Sequence, residues 1–301
     1  MWFSCAIMAD SWFEDSPIRE AIELAEGIRI EPVPQWVKDD EALKLLSWLD
    51  RESIQNAELA FTSEYEADAL GSPDLAWKGS VPRGIQASIG EKFALANVAL
   101  WLVKPTRLTA RSVMHFSRKG DPTSLRQFAA VNPVLISDSE SDNAPTVEDI
   151  ERAGEILKLI VALPRNATLW TAIRTLTRAV AEGGWEVRYL LQWIVLEALF
   201  GPDNPNETTY RLAQRIGLFL GSSAEDRRRI FDEARQAYGW RSRIVHGSRL
   251  SKLTSEKSLE LSATIEAIVR AAITKILSSP SLVLQFDGDE RDNRLDDLIF
   301  R

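Results

Sequence analysis

From Thr146 to Ser278 the chain is a succession of amphipathic segments divided by short, strong breaks, a pattern that leaves little choice except packed helices. Thr146 stands as a helix cap with Asp149 three residues on, opening a helix to about Leu163. Asn166 opens the next, which ends at Gly183-Gly184. Trp185–Phe200 follows and is closed by Gly201-Pro-Asp-Asn-Pro205. Asn206 then caps a segment that offers Tyr210, Leu212, Ile216, Leu218, Phe219 and Leu220 for burial and stops at Gly221. Ser223 with Asp226 repeats the capping pattern and starts a helix running toward His246-Gly247. Ser255–Ser278 is long and amphipathic, with Leu259, Leu261, Ile265, Ile268, Val269, Ile273 and Ile276 on its apolar side. Breaks this short predict an antiparallel helical bundle over residues 146–301.

The 301 residues leave room for a second domain ahead of it. Residues 1–136 read as a mixed α/β domain. Ser16-Pro17 resembles a cap followed by a first-turn proline, predicting a helix to about Glu26. Asp39–Arg51 has a helical pattern with Leu43, Leu45, Leu46 and Leu49 as its apolar side. Ala99–Val103 and Ser112–Phe116 read as strands around the Lys104-Pro-Thr106 turn, with a helix over Glu91–Val103 as the alternative. Residues 137–145, rich in Ser and Asp and with almost nothing to bury, form the expected linker. The predicted fold class is therefore mostly α, a C-terminal antiparallel bundle preceded by a mixed α/β N-terminal domain.

Charge narrows the function. The net charge of −8 argues against a globally basic nucleic-acid binder. It is unevenly spread: residues 1–60 carry thirteen acidic against five basic side chains (5 − 13 = −8), and residues 205–252 carry ten basic against five acidic (10 − 5 = +5). An arginine-rich stretch inside an acidic chain suits a local anion-facing surface, or else a solvated helical face laced with i,i+4 pairs. Cys5 is the only cysteine, so neither an internal disulfide nor a cysteine metal site is expected. The apolar runs Phe93–Val103 and Tyr189–Phe200, broken by Asn97, Gln192 and Glu197, fall short of the roughly 20 residues that span a bilayer. With no basic leader before a long apolar run, a cytoplasmic location is expected.

Two histidines limit acid–base chemistry. His115 lies in the strand-like Ser112–Phe116 stretch and reads as a packing or surface residue. His246 closes Tyr238-Gly-Trp-Arg-Ser-Arg-Ile-Val-His-Gly247, in the last turn of a helix whose dipole favours a cation. Such a histidine can move a proton at a ribose hydroxyl or leaving oxygen near neutral pH. Arg241 and Arg243, just upstream, can offer paired donors to phosphate oxygens. Arg241 and His246 are five positions apart, about 140° around a helix at roughly 100° per residue, so the two do not share one stripe. No Walker loop or Rossmann fingerprint is present, and adjacent pairs such as Asp39-Asp40 and Asp296-Asp297 point different ways. No cofactor and no metal are expected.

Three segments in order, Leu196-Glu-Ala-Leu-Phe200, Glu207-Thr-Thr-Tyr-Arg-Leu-Ala213 and Tyr238–Gly247 with its Arg-Ser-x-x-x-His-Gly core, together resemble the Apea-like HEPN family. The Asp/Leu-rich end, Arg294–Ile299, is similar to the family's tail, and the resemblance covers roughly residues 150–301. It implies a helical bundle that dimerises and brings two Arg-x4–6-His motifs to one cleft. It also implies a metal-independent endoribonuclease, often a toxin or antiviral-defence effector, in which the 2′-hydroxyl attacks the adjacent phosphate and leaves a 2′,3′-cyclic phosphate. The family motif falls on Arg241 and His246 as catalytic residues, with Ser242 at the polar position after the arginine and Arg243 in support. Glu197 and Glu207 match acidic positions of the family and are expected to pair with nearby arginines. The expected partners are RNA and a second copy of the chain, with no membrane, and a protein or phage-derived trigger acting through the N-terminal domain. The alternative is a non-catalytic HEPN module for dimerisation, nucleotide or RNA binding, or sensing.

Overall fold

A computed structural model describes residues 2–9, 18–25, 27–66, 83–104, 109–117, 124–130, 145–202, 208–246, 253–287 and 291–298. The chain is mostly helical, with one antiparallel sheet near its N-terminus, and forms two compact units that divide close to residue 158.

The first unit is built on six strands: β1 (Trp2–Ala9), β2 (Ile22–Ala25), β3 (Ile28–Pro32), β4 (Leu59–Tyr65), β5 (Thr109–Ser117) and β6 (Ser124–Ala130), in the spatial order β2-β3-β4-β1-β5-β6. Central β1 is buried from Trp2 to Met8, because helices cover both sheet faces. On one face Phe3, Cys5, Ile7, Met114 and Phe116 pack with Val37 of α1 (Gln35–Lys38), Leu43 of a 3-10 turn (Glu41–Leu45) and Ile54 of α2 (Trp48–Asn56). On the other, Phe61 stacks on Phe93 of α3 (Arg83–Val103), with ring centroids 6.3 Å apart.

Here the sequence expectations are corrected in several places. The described part of the helix predicted to run to Glu26 is instead strand β2, hairpinned to β3 through Gly27 at φ 72°. Alternating Ile22, Leu24, Ile28 and Ile30 can share one side of a pleat, and glycine supplies the positive φ of a two-residue turn. Ser16-Pro17 lies outside the described residues. The Asp39–Arg51 helix is split: Ser47 caps α2 by accepting the Asp50 N–H, and Leu45 and Leu49 are exposed. Ala99–Val103 is not a strand but the end of α3, following the alternative reading; a helix apolar on nearly every side is one buried on every side.

Thr146 and Asp149 exchange the two bonds of a capping box at the start of α4 (Val147–Val161). Most of this helix belongs with the sheet: Lys104 pairs with Asp149 at 3.3 Å, and Gly154 lies so near the Leu24 carbonyl that a Cβ would sit 2.3 Å from it. From sequence the helical domain starts at residue 146; the compact helical unit starts after Lys158. All but the last residue of the expected linker lies outside the described residues.

The second unit comprises α5 (Thr168–Val180), α6 (Trp185–Phe200), α7 (Thr208–Leu220), α8 (Ala224–Val245), α9 (Ser255–Leu277), α10 (Pro280–Asp287) and α11 (Arg291–Asp297). Helix α6 is its axis, touching α5, α7, α8 and α9 and burying Tyr189, Trp193, Leu196 and Phe200. Among the described residues no single helix is long and apolar enough to cross a membrane.

Candidate functional site

Helix α8 carries most of the predicted site. Ser223 accepts the Asp226 N–H at 3.1 Å to start it, and His246 ends it at φ −85° and ψ 8°. Ile230, Phe231, Ala234 and Ala237 set its inward side. At about 100° per residue, Arg241 falls on that same side, one turn beyond Ala237, while His246 falls on the outward side.

Arg241 therefore points toward α6, where Glu197 meets it. Its Nη2 donates to Glu197 at 3.2 Å from Oε2 and lies 3.1 Å from Oε1. The Tyr238 hydroxyl donates to Glu197 Oε1 at 2.9 Å, and the Arg241 guanidinium carbon sits 5.4 Å from the Tyr238 ring centre. Trp193 meets Tyr238 edge-on at 5.0 Å, and Tyr189 fixes the local α8 backbone by donating to the Ala237 carbonyl at 2.6 Å. Burial first, and then the hydrogen bond and charge of Glu197, push the Tyr238 phenol up to about 12 against the opposing pull of Arg241, so it stays a neutral donor. Arg241 and Glu197 keep about a quarter of their side-chain surface, 25% and 26%. The Arg241 Nε is buried with no hydrogen-bond acceptor among the described residues. The cluster is a held cation, open on one side.

His246 is exposed. Its backbone N–H reaches the Ser242 carbonyl at 3.1 Å, which closes the helix, and its ring has no hydrogen bond or ion pair among the described residues. Arg235, Gly239 and Arg243 share the outward side, and Arg243 lies over the Trp240 ring at 4.5 Å. Ser242 is half-buried between the two sides. Within one chain, then, Arg241 and Glu197 come together as expected, while His246 and Arg243 stand apart from them. Glu207 and Gly247 lie outside the described residues.

Most of the arginine excess turns out to be structural. Arg211 and Arg215 bind Asp292 and Asp296, Arg228 pairs with Asp232, Arg229 with Asp226 and Glu233, and Arg227 donates to the Gly221 carbonyl. Tyr238 was not among the predicted site residues. The signal was present: it stands one turn before Arg241 on the same helix side, facing the Glu197 already singled out. Among the described residues no group of three or more His, Cys, Asp or Glu is placed to hold a metal.

His115 proves to be a packing residue. It is buried on β5 opposite Ser4, whose Oγ lies 2.6 Å from its Nδ1 and 2.9 Å from the Tyr65 hydroxyl. Burial lowers its pKa to about 4, which keeps it neutral.

Helix α6 exposes Val187 and Ile194 and α8 exposes Val245, each with 45% or more of its surface open. Single exposed apolar residues are ordinary, and these three lie on the helices that carry Glu197 and Arg241. Family models, curated proteins and solved structures were all compared with this chain, and none matches it.

Proposed function

We propose that the helical unit is a metal-independent endoribonuclease of the HEPN type, working as a homodimer in the cytoplasm as a toxin or antiviral-defence effector. The observation that carries this reading is the state of Arg241: oriented by Glu197 and Tyr238 and partly open to solvent. A phosphate oxygen can approach its open side, and a guanidinium fixed in advance need not reorganise as charge grows on the phosphorane.

In the reaction, a 2′-oxygen–phosphorus bond forms while the bond to the 5′-oxygen breaks. The 2′-hydroxyl proton leaves to a base and the 5′-oxygen gains one, so the products are a 2′,3′-cyclic phosphate and a 5′-hydroxyl. His246, exposed and at the negative end of α8, serves in proton transfer, and Arg241 stabilises the pentacoordinate phosphorus. The 140° between them supports a site completed by a second copy, in which one chain's Arg241 faces the other's His246. The exposed Val187, Ile194 and Val245 are the surface offered for that contact. The N-terminal unit, acidic over its first 60 residues, is assigned the recognition of a protein or phage-derived trigger.

A second reading is a non-catalytic HEPN module for dimerisation, RNA or nucleotide binding, or sensing. It is favoured by one observation, that Glu197 already neutralises Arg241. Purified protein incubated with total RNA in EDTA, beside Arg241→Ala and His246→Ala, separates the two. Cleavage by the wild type that is lost in both folded variants supports the enzyme. Equal cleavage by all three removes the site assignment. RNA retained but uncut at every trigger tried favours the module.

A further inference from the structure

The last turn of α6, which carries Glu197, is held by the end of the chain. A helix leaves its final carbonyls without intrahelical partners. Here Arg291 of α11 donates to the Ala198 carbonyl at 2.7 Å and to the Gly201 carbonyl at 3.4 Å, and Arg215 of α7 donates to the Phe200 carbonyl at 3.2 Å. Arg215 is a fully buried guanidinium, and α11 supplies its counter-charges: Asp292 at 2.7 Å, and Asp296 at 2.7 and 3.1 Å. Arg211 holds the other Asp296 oxygen at 2.7 Å. Phe286 of α10 adds ring contacts to Phe200 at 5.5 Å and Phe219 at 5.3 Å. A buried cation cannot be left without its carboxylates at small cost, so Arg215 and α11 move together or not at all. The Gly201 N–H in turn bonds the Glu197 carbonyl at 2.8 Å, and a Cβ at Gly201 would lie 2.4 Å from that oxygen. The backbone at Glu197 is thus tied directly to residues that α11 holds.

We propose that α11 is a positioning element for Arg241: Asp292 and Asp296 fix Arg215, Arg215 and Arg291 fix the end of α6, and the end of α6 aims Glu197. As a device of the RNA-cleaving site this rests on the reading above; as a mechanical link it does not. A buried charge cluster merely stabilising the fold would leave the Glu197–Tyr238–Arg241 geometry unchanged once the protein is folded. A positioning cluster would not.

The full chain carrying Asp292→Asn with Asp296→Asn, checked for folding by circular dichroism, tests the link. Tyr238 is the reporter, its titration followed by carbon NMR of labelled tyrosine and identified with Tyr238→Phe. In the double variant the titration is expected to fall as Glu197 drifts away, while the part of the elevation that burial causes remains. Amide exchange at Leu199–Gly201 should quicken on the order of tenfold, and RNA cleavage should slow by roughly 10- to 100-fold, chiefly in kcat. Asp296→Glu should restore the titration. A folded double variant with wild-type titration and exchange overturns the proposal. If the double variant does not fold, Arg291→Gln, which leaves Arg215 its carboxylates, is read in the same way, and an unmoved Tyr238 overturns it equally. A shifted Tyr238 in a protein that never cleaves RNA keeps the link and removes the enzyme; cleavage unaltered in folded variants, with Tyr238 unmoved, does the reverse.

Discussion

The two histidines stand in opposite surroundings. His115 is buried in the sheet-bearing unit, with its Nδ1 against Ser4 and a tyrosine hydroxyl beyond it. His246 is exposed at the end of α8, with its ring uncommitted among the described residues. Tyrosine recurs near both: Tyr65 completes the first cluster, and Tyr238 holds Glu197 against Arg241 in the second. The first cluster is closed and satisfied, so it does structural work. In the second, among the described residues, the His246 ring has no hydrogen-bond partner and the Arg241 guanidinium keeps an open side, as a site that must take up a ligand requires.

The largest separation between the two should appear in catalysis. His246→Ala is expected to lower RNA cleavage by roughly 10²- to 10⁴-fold while leaving the thermal midpoint in place. His115→Gln should cleave at the wild-type rate wherever it is folded. Loss of cleavage in both, with both folded, would erase the contrast.

Acid should separate them next. The folded pKa of His115, about 4, lies below its unfolded value of about 6.5, so between these values the unfolded chain binds more protons. Stability present above pH 6.5 is therefore lost as pH falls toward 4, by at most on the order of 3 kcal/mol. Urea unfolding across that range should show the loss, and His115→Asn should flatten it. A slope unchanged by that substitution would mean that the cost lies elsewhere.

Smaller effects sharpen the same comparison. Ser4→Ala removes the partner of both the imidazole and the Tyr65 hydroxyl and should cost about 1–3 kcal/mol in denaturant titration. Leu45→Gln, at a residue 88% exposed, should change stability by less than about 0.5 kcal/mol. A large loss there would return Leu45 to the apolar side that the sequence pattern first gave it.

The later helices were far more legible than the sheet. Trp185–Phe200 emerges with the bounds read from sequence, and the Thr146/Asp149 and Ser223/Asp226 caps form, because breakers and caps act within a few residues. Asn166 did not cap its helix; Ala167 stands at that place without a side-chain bond. Strand β1 escaped notice because it lies mid-sheet with both faces covered, so its residues lack the alternation that marks a half-exposed strand. At the site, Arg241, Glu197 and the angle to His246 could be read from motif and helix geometry. The α11 clamp could not, since its ion pairs join residues 77 or more positions apart.

Mixing Arg241→Ala protein with His246→Ala protein tests most directly whether one chain's Arg241 works with another's His246. Each variant alone lacks one half of every site. After exchange of subunits, mixed dimers hold one intact site of two, and random pairing makes half of the dimers mixed, so about a quarter of wild-type cleavage should return. Recovery that rises with subunit exchange is the expected result. Full activity in either variant alone, or no recovery in dimers shown to have exchanged, would contradict a site built from both.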